Sequence, residues 1–182
     1  MRIEKFEIDG LLVIEPDVFP DSRGWFYESY NAEKFRAIGI STVFVQDNHS
    51  RSVKNTLRGL HYQKNPGQEK LVRCTHGKIW DVAVDIRKGS ATYGKWRAVE
   101  LSEENKKMFY IPIGFAHGFC VLSDFAEVQY KCSSVYNGAE EAGYAWDCPK
   151  IAVKWPTEEP ILSKRDLQNP GLDDIYILST PP

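Results

Sequence analysis

The sequence predicts an all-β, jelly-roll-like fold, and three observations predict it. Short apolar–polar alternations recur about every ten residues from Thr56 to Ser133, the rhythm of strands in a sandwich or barrel. Turn-forming Gly, Pro, Asn and Asp separate these runs, leaving no room for the crossover helices of a parallel sheet. Aromatic residues make up 13% of the 182 residues, with five Trp and nine Tyr, which suits β-packing and a site that stacks flat rings.

Each element follows from local pattern. Ile3 to Val13 reads as two short strands broken at Asp9-Gly10, a favourable hairpin turn. Pro16, Pro20 and Gly24 punctuate a loop carrying DSRGWF, and Phe26 to Tyr30 reads as a short strand. Asn31 is a good N-cap for a helix over 32–38, which Gly39 ends. Thr42 to Gln46 returns to strand, and Asp47-Asn48-His49-Ser50 reads as a polar turn. Strands are then expected over 57–63, 70–75, 78–86, 97–101, 107–111, 118–122 and 126–133. Trp80, Val82, Val84 and Ile86 alternate with Asp81, Ala83 and Asp85, as a half-buried strand requires. From about residue 138, two tryptophans and several prolines mark a loop-rich tail that packs across the barrel. The length suits one domain, residues 1–182, with a sizeable core.

Charge narrows the function classes. Lys plus Arg is 23 and Asp plus Glu is 25, a net charge of −2. No block of like charge supports a nucleic-acid arm or a membrane-binding tail. An anionic ligand must therefore be held by a few local cations rather than a global field. No run approaches the roughly 18 apolar residues of a membrane span, and charges interrupt the N-terminal MRIEKFEIDGLLVIEP where a signal peptide needs its apolar stretch. The expected location is the cytoplasm. Cys74, Cys120, Cys132 and Cys148 have no metal-binding spacing and read as free buried thiols in a reducing compartment.

The stretch NTLRGLHYQ, residues 55–63, holds the most chemistry. A lone strand histidine is commonly structural, but His61 lies near Arg58 and Lys70, and neighbouring cations favour a neutral imidazole that can take a proton. Arg58 and His61 have opposite parity on an ideal strand, so both face one site only if Gly59 marks a bulge or a strong twist. In IPIGFAHGF a Pro/Gly turn swings His117 inward. His61 and His117 could be metal ligands, yet Gln63 stands where a further histidine is wanted and no third ligand is evident. Tyr130 reads equally as core or as a phenolic proton donor. Ser163-x-x-Asp166 reads as a helix capping box. Arg23, Phe26 and Glu28, with Gln46 and Asn48, supply a cation, a ring and amides suited to phosphate, stacking and a pyrimidine edge.

DSRGWFYE, VQDNHSRSVKNTLRGLHYQ, QEKLVRCTHGKIWDVAVDIR, FYIPIGFAHGF and YKCSSVY, in this order, closely resemble the dTDP-4-dehydrorhamnose 3,5-epimerases. The match runs from about Ile3 to Asp166. The resemblance implies a cupin-type jelly roll working as a homodimer on a dTDP-4-keto-6-deoxy sugar, with no metal or other cofactor. It implies that His61 is the base, oriented by Asp166, with Tyr130 the acid on the opposite face of the sugar. Arg23, Glu28, Gln46, Asp47, Asn48, Arg58, Lys70, His117 and Glu141 match nucleotide-sugar-binding positions. Phe26 and Tyr136 look like the rings that sandwich the thymine, and some residues near Arg23 and Phe26 would come from the partner subunit. Two departures stand out: Arg165 replaces the family's usual lysine before the aspartate, and Glu69 replaces a frequent glycine before Lys70.

The implied chemistry is self-consistent. A 4-keto sugar has acidic hydrogens at C3 and C5, and removing either gives an enolate with charge on O4. A neutral base, a cation near O4, for which Lys70 is the candidate, and an acid across the ring suffice. Competing readings are an epimerase acting at one carbon, a non-catalytic nucleotide-sugar binder and a metal-dependent cupin oxygenase.

Overall fold

The computed structural model describes residues 1–172; residues 173–182, part of the expected single domain, lie outside that range. The strands, in chain order, are β1 Arg2–Lys5, β2 Leu12–Glu15, β3 Phe19–Asp21, β4 Gly24–Phe26, β5 Gln46–Val53, β6 Leu57–Gln63 and β7 Lys70–His76. After them come β8 Lys78–Asp85, β9 Trp96–Ser102, β10 Met108–Ile111, β11 Phe115–Val121, β12 Phe125–Cys132 and β13 Glu141–Gly143. Helix α1 spans Ala32–Ala37, and Asp166–Gln168 form a 3₁₀ turn.

Two antiparallel sheets face each other, one ordered β1-β2-β10-β7-β12-β5 and the other β13-β6-β11-β8-β9. Successive strands therefore alternate between sheets over much of the chain, as in a jelly roll. Val13, Val72, Phe109, Phe119 and Val128 belong to the apolar core cluster, against which Tyr130 packs. On the outside of the six-stranded sheet, Phe35 and Ile40 join Ile14, Leu71 and Met108 in a second cluster. Asn31 holds α1 by accepting the N–H groups of Glu33 and Lys34, two of the donors that a helix start leaves free. The tail covers the outside of the other sheet: Tyr144, Cys148, Ile151 and Leu172 cluster with Leu60, Tyr62, Val82 and Val84. Each such fully buried large side chain contributes about 1.5–3 kcal/mol.

Several expectations need correction. The segment around Pro20 and Gly24 is a two-stranded hairpin, β3 paired with β4, and the strand expected over 26–30 ends at Phe26. The polar turn expected at 47–50 is the middle of β5, which pairs with β12 along its whole length. Strand propensity and apolar alternation both miss it because its inward face borders a polar cavity, so polar residues alternate with polar residues. In β8 the acidic positions are not the solvent side: Asp81 and Asp85 are 0% exposed, while Val82 and Val84 are also buried. The tail covers one face of this strand and the core the other, so both faces are inside.

The backbone does depart from a regular strand at Gly59. His117 pairs with His61 and Phe119 with Arg58, so three steps along β6 answer two along β11. The extra residue cancels the parity conflict, and Arg58 and His61 both line one cavity. Gly59 has a φ of 131°, and a Cβ there would come within 2.5 Å of the Gly118 Cα. Only glycine meets both conditions. The Gly59–Leu60 and Asn65–Pro66 peptides are cis.

Candidate active site

Between the sheets lies a cavity of about 510 Å³. His61 reaches it from β6 and His117 from β11, both in the five-stranded sheet. Lys70 from β7 and Tyr130 from β12 reach it from the six-stranded sheet. The cavity thus has an imidazole wall and a facing wall that carries an ammonium and a phenol.

His61 is held by a residue far along the chain. Its Nε2 lies 2.5 Å from Asp166 Oδ1. Burial works against charge on Asp166, but hydrogen bonds from His61 and Ser163 outweigh it and keep the carboxyl below its usual range. An ionised carboxylate can only accept, so His61 Nε2 carries the proton and Nδ1 is the free acceptor. The helix capping box expected here is only half made: Ser163 Oγ accepts the Asp166 N–H at 3.1 Å and donates to Asp166 Oδ2 at 2.8 Å, but the 3₁₀ turn over Asp166–Gln168 starts after Arg165, so Ser163 does not cap it. Ser163 fixes the carboxylate that fixes the imidazole.

Lys70 is 7% exposed, and burial pushes its pKa down. Among the described residues its Nζ has no hydrogen bond or ion pair, and only through-space attraction from Cys132 and Glu141 opposes the burial. Tyr130 is partly buried, and burial first, then the neighbouring Cys132, raises its pKa, with Arg58 opposing. The phenol therefore keeps its proton at neutral pH. Tyr130 satisfies both sequence readings, since it packs on the core and lines the cavity. Arg58 lines the same space, its Nε donating to Ser52 Oγ at 3.1 Å and leaving the rest of its fork free for an anion.

His117 has a partner that sequence reasoning did not identify. Its Nε2 lies 2.9 and 3.0 Å from the two carboxylate oxygens of Asp81. Burial pushes the Asp81 carboxyl up, and the adjacent His117 opposes that. The missed signal was an acid inside an apolar strand; Asp81 pairs with Phe119 on the neighbouring strand, two positions from His117. Among the described residues no three His, Cys, Asp or Glu side chains gather as a metal site. The four cysteines are free and buried.

Gln46, Asn48, Tyr136, Glu141 and Arg165 also line the cavity. Gln46 Nε2 donates to Asn48 Oδ1 at 3.0 Å, and Arg165 pairs with Glu141. Other expected residues are not brought to this cavity within the chain. Asp47 points to the other face of β5 and pairs with Lys131 at 3.0 Å. Arg23 pairs with Asp21 on the β3–β4 hairpin, Phe26 is 65% exposed on the same hairpin, and Glu28 pairs with Lys34.

Comparison with known proteins identifies the family of the chain as a whole. The family model described as dTDP-4-dehydrorhamnose 3,5-epimerase matches residues 5–174. The dTDP-4-dehydrorhamnose 3,5-epimerase of Escherichia coli (strain K12) is 52% identical, covering 98% of this chain and 98% of that protein. The structure of dTDP-6-deoxy-D-glucose-3,5-epimerase from Legionella pneumophila in complex with dTDP-4-keto-L-rhamnose matches with a TM-score of 0.94 and 47% identity. That match covers 96% of this chain and 94% of the other. A dTDP-4-dehydrorhamnose 3-epimerase from Streptomyces niveus is 40% identical over 91% of this chain and 81% of that protein. The likeness runs along nearly the whole length in both sequence and fold, and the chain belongs to the dTDP-4-dehydrorhamnose 3,5-epimerase family.

Proposed function

We propose that the protein epimerises C3 and C5 of dTDP-4-dehydro-6-deoxy-D-glucose to give dTDP-4-dehydro-L-rhamnose. The observation that carries this reading is the division of labour between walls: an oriented base on one sheet, a protonated phenol and a free ammonium on the other. His61 Nδ1 removes the proton at C3 or C5, and the C–H electrons move into an enolate whose charge rests on O4. Lys70 stabilises that oxygen, a contribution of roughly 3 kcal/mol for one well-placed donor. Tyr130 delivers a proton to the opposite face of the carbon, inverting it, and His61 and Tyr130 then exchange protons with solvent. General acid–base steps of this kind give about 10²–10⁴-fold each.

Arg58 is assigned to the pyrophosphate, His117 to the sugar, and Tyr136 with Phe26 to the thymine. Arg23, Phe26 and Glu28 lie outside their own chain's cavity, and the exposed β3–β4 hairpin gives them a way into a neighbour's. This supports a homodimer in which each hairpin completes the partner's nucleotide site. Four free buried thiols fit a reducing compartment, and we place the enzyme in the cytoplasm.

A second reading is epimerisation at one carbon, favoured by the Streptomyces niveus relative. Both reactions draw on the same base and acid. Incubation with dTDP-4-dehydro-6-deoxy-D-glucose and proton NMR of the product separates them: inversion at C3 and C5 supports the first reading, and inversion at C3 alone selects the second. No turnover rejects both.

A further inference from the structure

The loop over residues 133–137, which carries Tyr136, is tied at its ends by backbone bonds of Ser133 and Asn137 and by Ser134 Oγ, which donates to the Gly67 carbonyl. Side chains from β5, β6 and the turn before β7 hold its middle. Gln63 supplies the most contacts. Its Nε2 donates to Ser134 Oγ at 3.1 Å and to the Val135 carbonyl at 3.4 Å, and its Oε1 accepts the Asn137 N–H at 3.1 Å. Gln68 Nε2 donates to the Ser134 carbonyl at 2.9 Å, and Gln46 Oε1 accepts the Tyr136 N–H at 2.8 Å. Gln63 is 5% exposed, so these bonds are shielded from water, where a lost partner costs most.

The ring so placed sits at the cavity rim. Tyr136 is 56% exposed, yet its surroundings are close: a Cβ on Gly138 would come within 3.2 Å of the Tyr136 hydroxyl. Glu141, which lines the same cavity, pairs with Arg165, the residue next to Asp166. Gln63 itself lies two residues beyond His61 on β6 and pairs through its backbone with Glu141. One short strand therefore sets both the base and the loop at the rim.

We propose that Gln63 is a positioning residue for nucleotide recognition: by fixing residues 134–137 it presets the Tyr136 ring against which the thymine base stacks. This deepens the proposed function and rests on Tyr136 being the base platform. A preset ring loses no loop entropy on binding, so the benefit lies in nucleotide affinity and not in proton transfer.

The test combines Gln63→Ala, Gln63→Glu and Tyr136→Ala with two probes, dTDP and inorganic pyrophosphate, which lacks the base. Gln63→Ala is expected to raise KM and weaken dTDP binding about tenfold, with kcat little changed and pyrophosphate affinity unaltered. Gln63→Glu keeps the acceptor for Asn137 and loses both donors, so its loss of dTDP affinity should fall between wild type and Gln63→Ala. In a Tyr136→Ala background, Gln63→Ala should weaken dTDP binding no further, the non-additivity of two residues acting through one contact. Equal weakening of pyrophosphate, or a full additional loss in that background, would mean that Gln63 serves the fold generally, and the proposal falls. If Gln63→Ala does not fold, the comparison of Gln63→Glu with wild type in both backgrounds decides the same question. Normal dTDP binding by wild type with no effect at Gln63 overturns this inference alone. Wild type binding dTDP no more tightly than pyrophosphate overturns the nucleotide reading as well.

Discussion

Asp166 Oδ1 sits 2.5 Å from His61 Nε2 although 105 residues separate the two in sequence. The contact fixes which imidazole nitrogen carries the proton, and in the proposed mechanism the other, Nδ1, is the one that meets substrate. Asp166→Asn keeps the shape and removes the charge that selects this tautomer. It should lower kcat about 10²-fold or more while KM stays nearly constant, because orientation and basicity are lost and not binding. Steady-state kinetics check this; unchanged kcat would reduce Asp166 to a structural partner of Ser163.

Lys70 is a buried lysine without a hydrogen bond or ion pair among the described residues, and burial depresses its pKa. Such a group costs stability for the sake of function. Lys70→Met should raise the melting temperature of the ligand-free protein and lower kcat about 10²-fold or more, the loss of one donor to a developing oxyanion. Calorimetry and kinetics on the same preparation test both halves.

Asp85 gives a prediction about stability alone. Burial pushes its carboxyl up, but hydrogen bonds from Arg87, Ser90 and Thr92 prevail and pull the pKa down to about 2. A carboxyl whose folded pKa is depressed contributes stability above its unfolded value, near 4, and loses it as pH falls through about 2. Asp85→Asn should therefore cost about 2 kcal/mol at pH 7. Urea melts of both proteins should converge as pH falls from about 4 towards 2.

The parts of this molecule that follow local rules were legible in its sequence. The pairing of the first two strands, though through a longer loop than an Asp9-Gly10 turn, the Asn31 cap and the run of strands from Leu57 onward follow from turn chemistry and alternation. The conflict between Arg58 and His61 even located the bulge at Gly59. What failed depended on what lies across a face. The inward side of β5 meets a polar cavity, so the strand looks like a turn. Asp81 looks solvent-facing until the tail is seen to cover the other side of β8. The pairing of Asp166 with His61 came from family resemblance; the local pattern pointed to a helix cap, and what the structure keeps of it is the Ser163–Asp166 contact.

The central claim is that His61 takes a carbon-bound proton and Tyr130 returns one from the other side. Incubation with dTDP-4-dehydro-6-deoxy-D-glucose in D₂O, followed by proton NMR, tests it most directly. Wild type should place deuterium at C3 and C5 with inversion, and His61→Asn should abolish exchange while still binding dTDP. Tyr130→Phe should retain some exchange but lose inverted product. Persistent exchange in His61→Asn, or full formation of inverted product by Tyr130→Phe, would contradict the account.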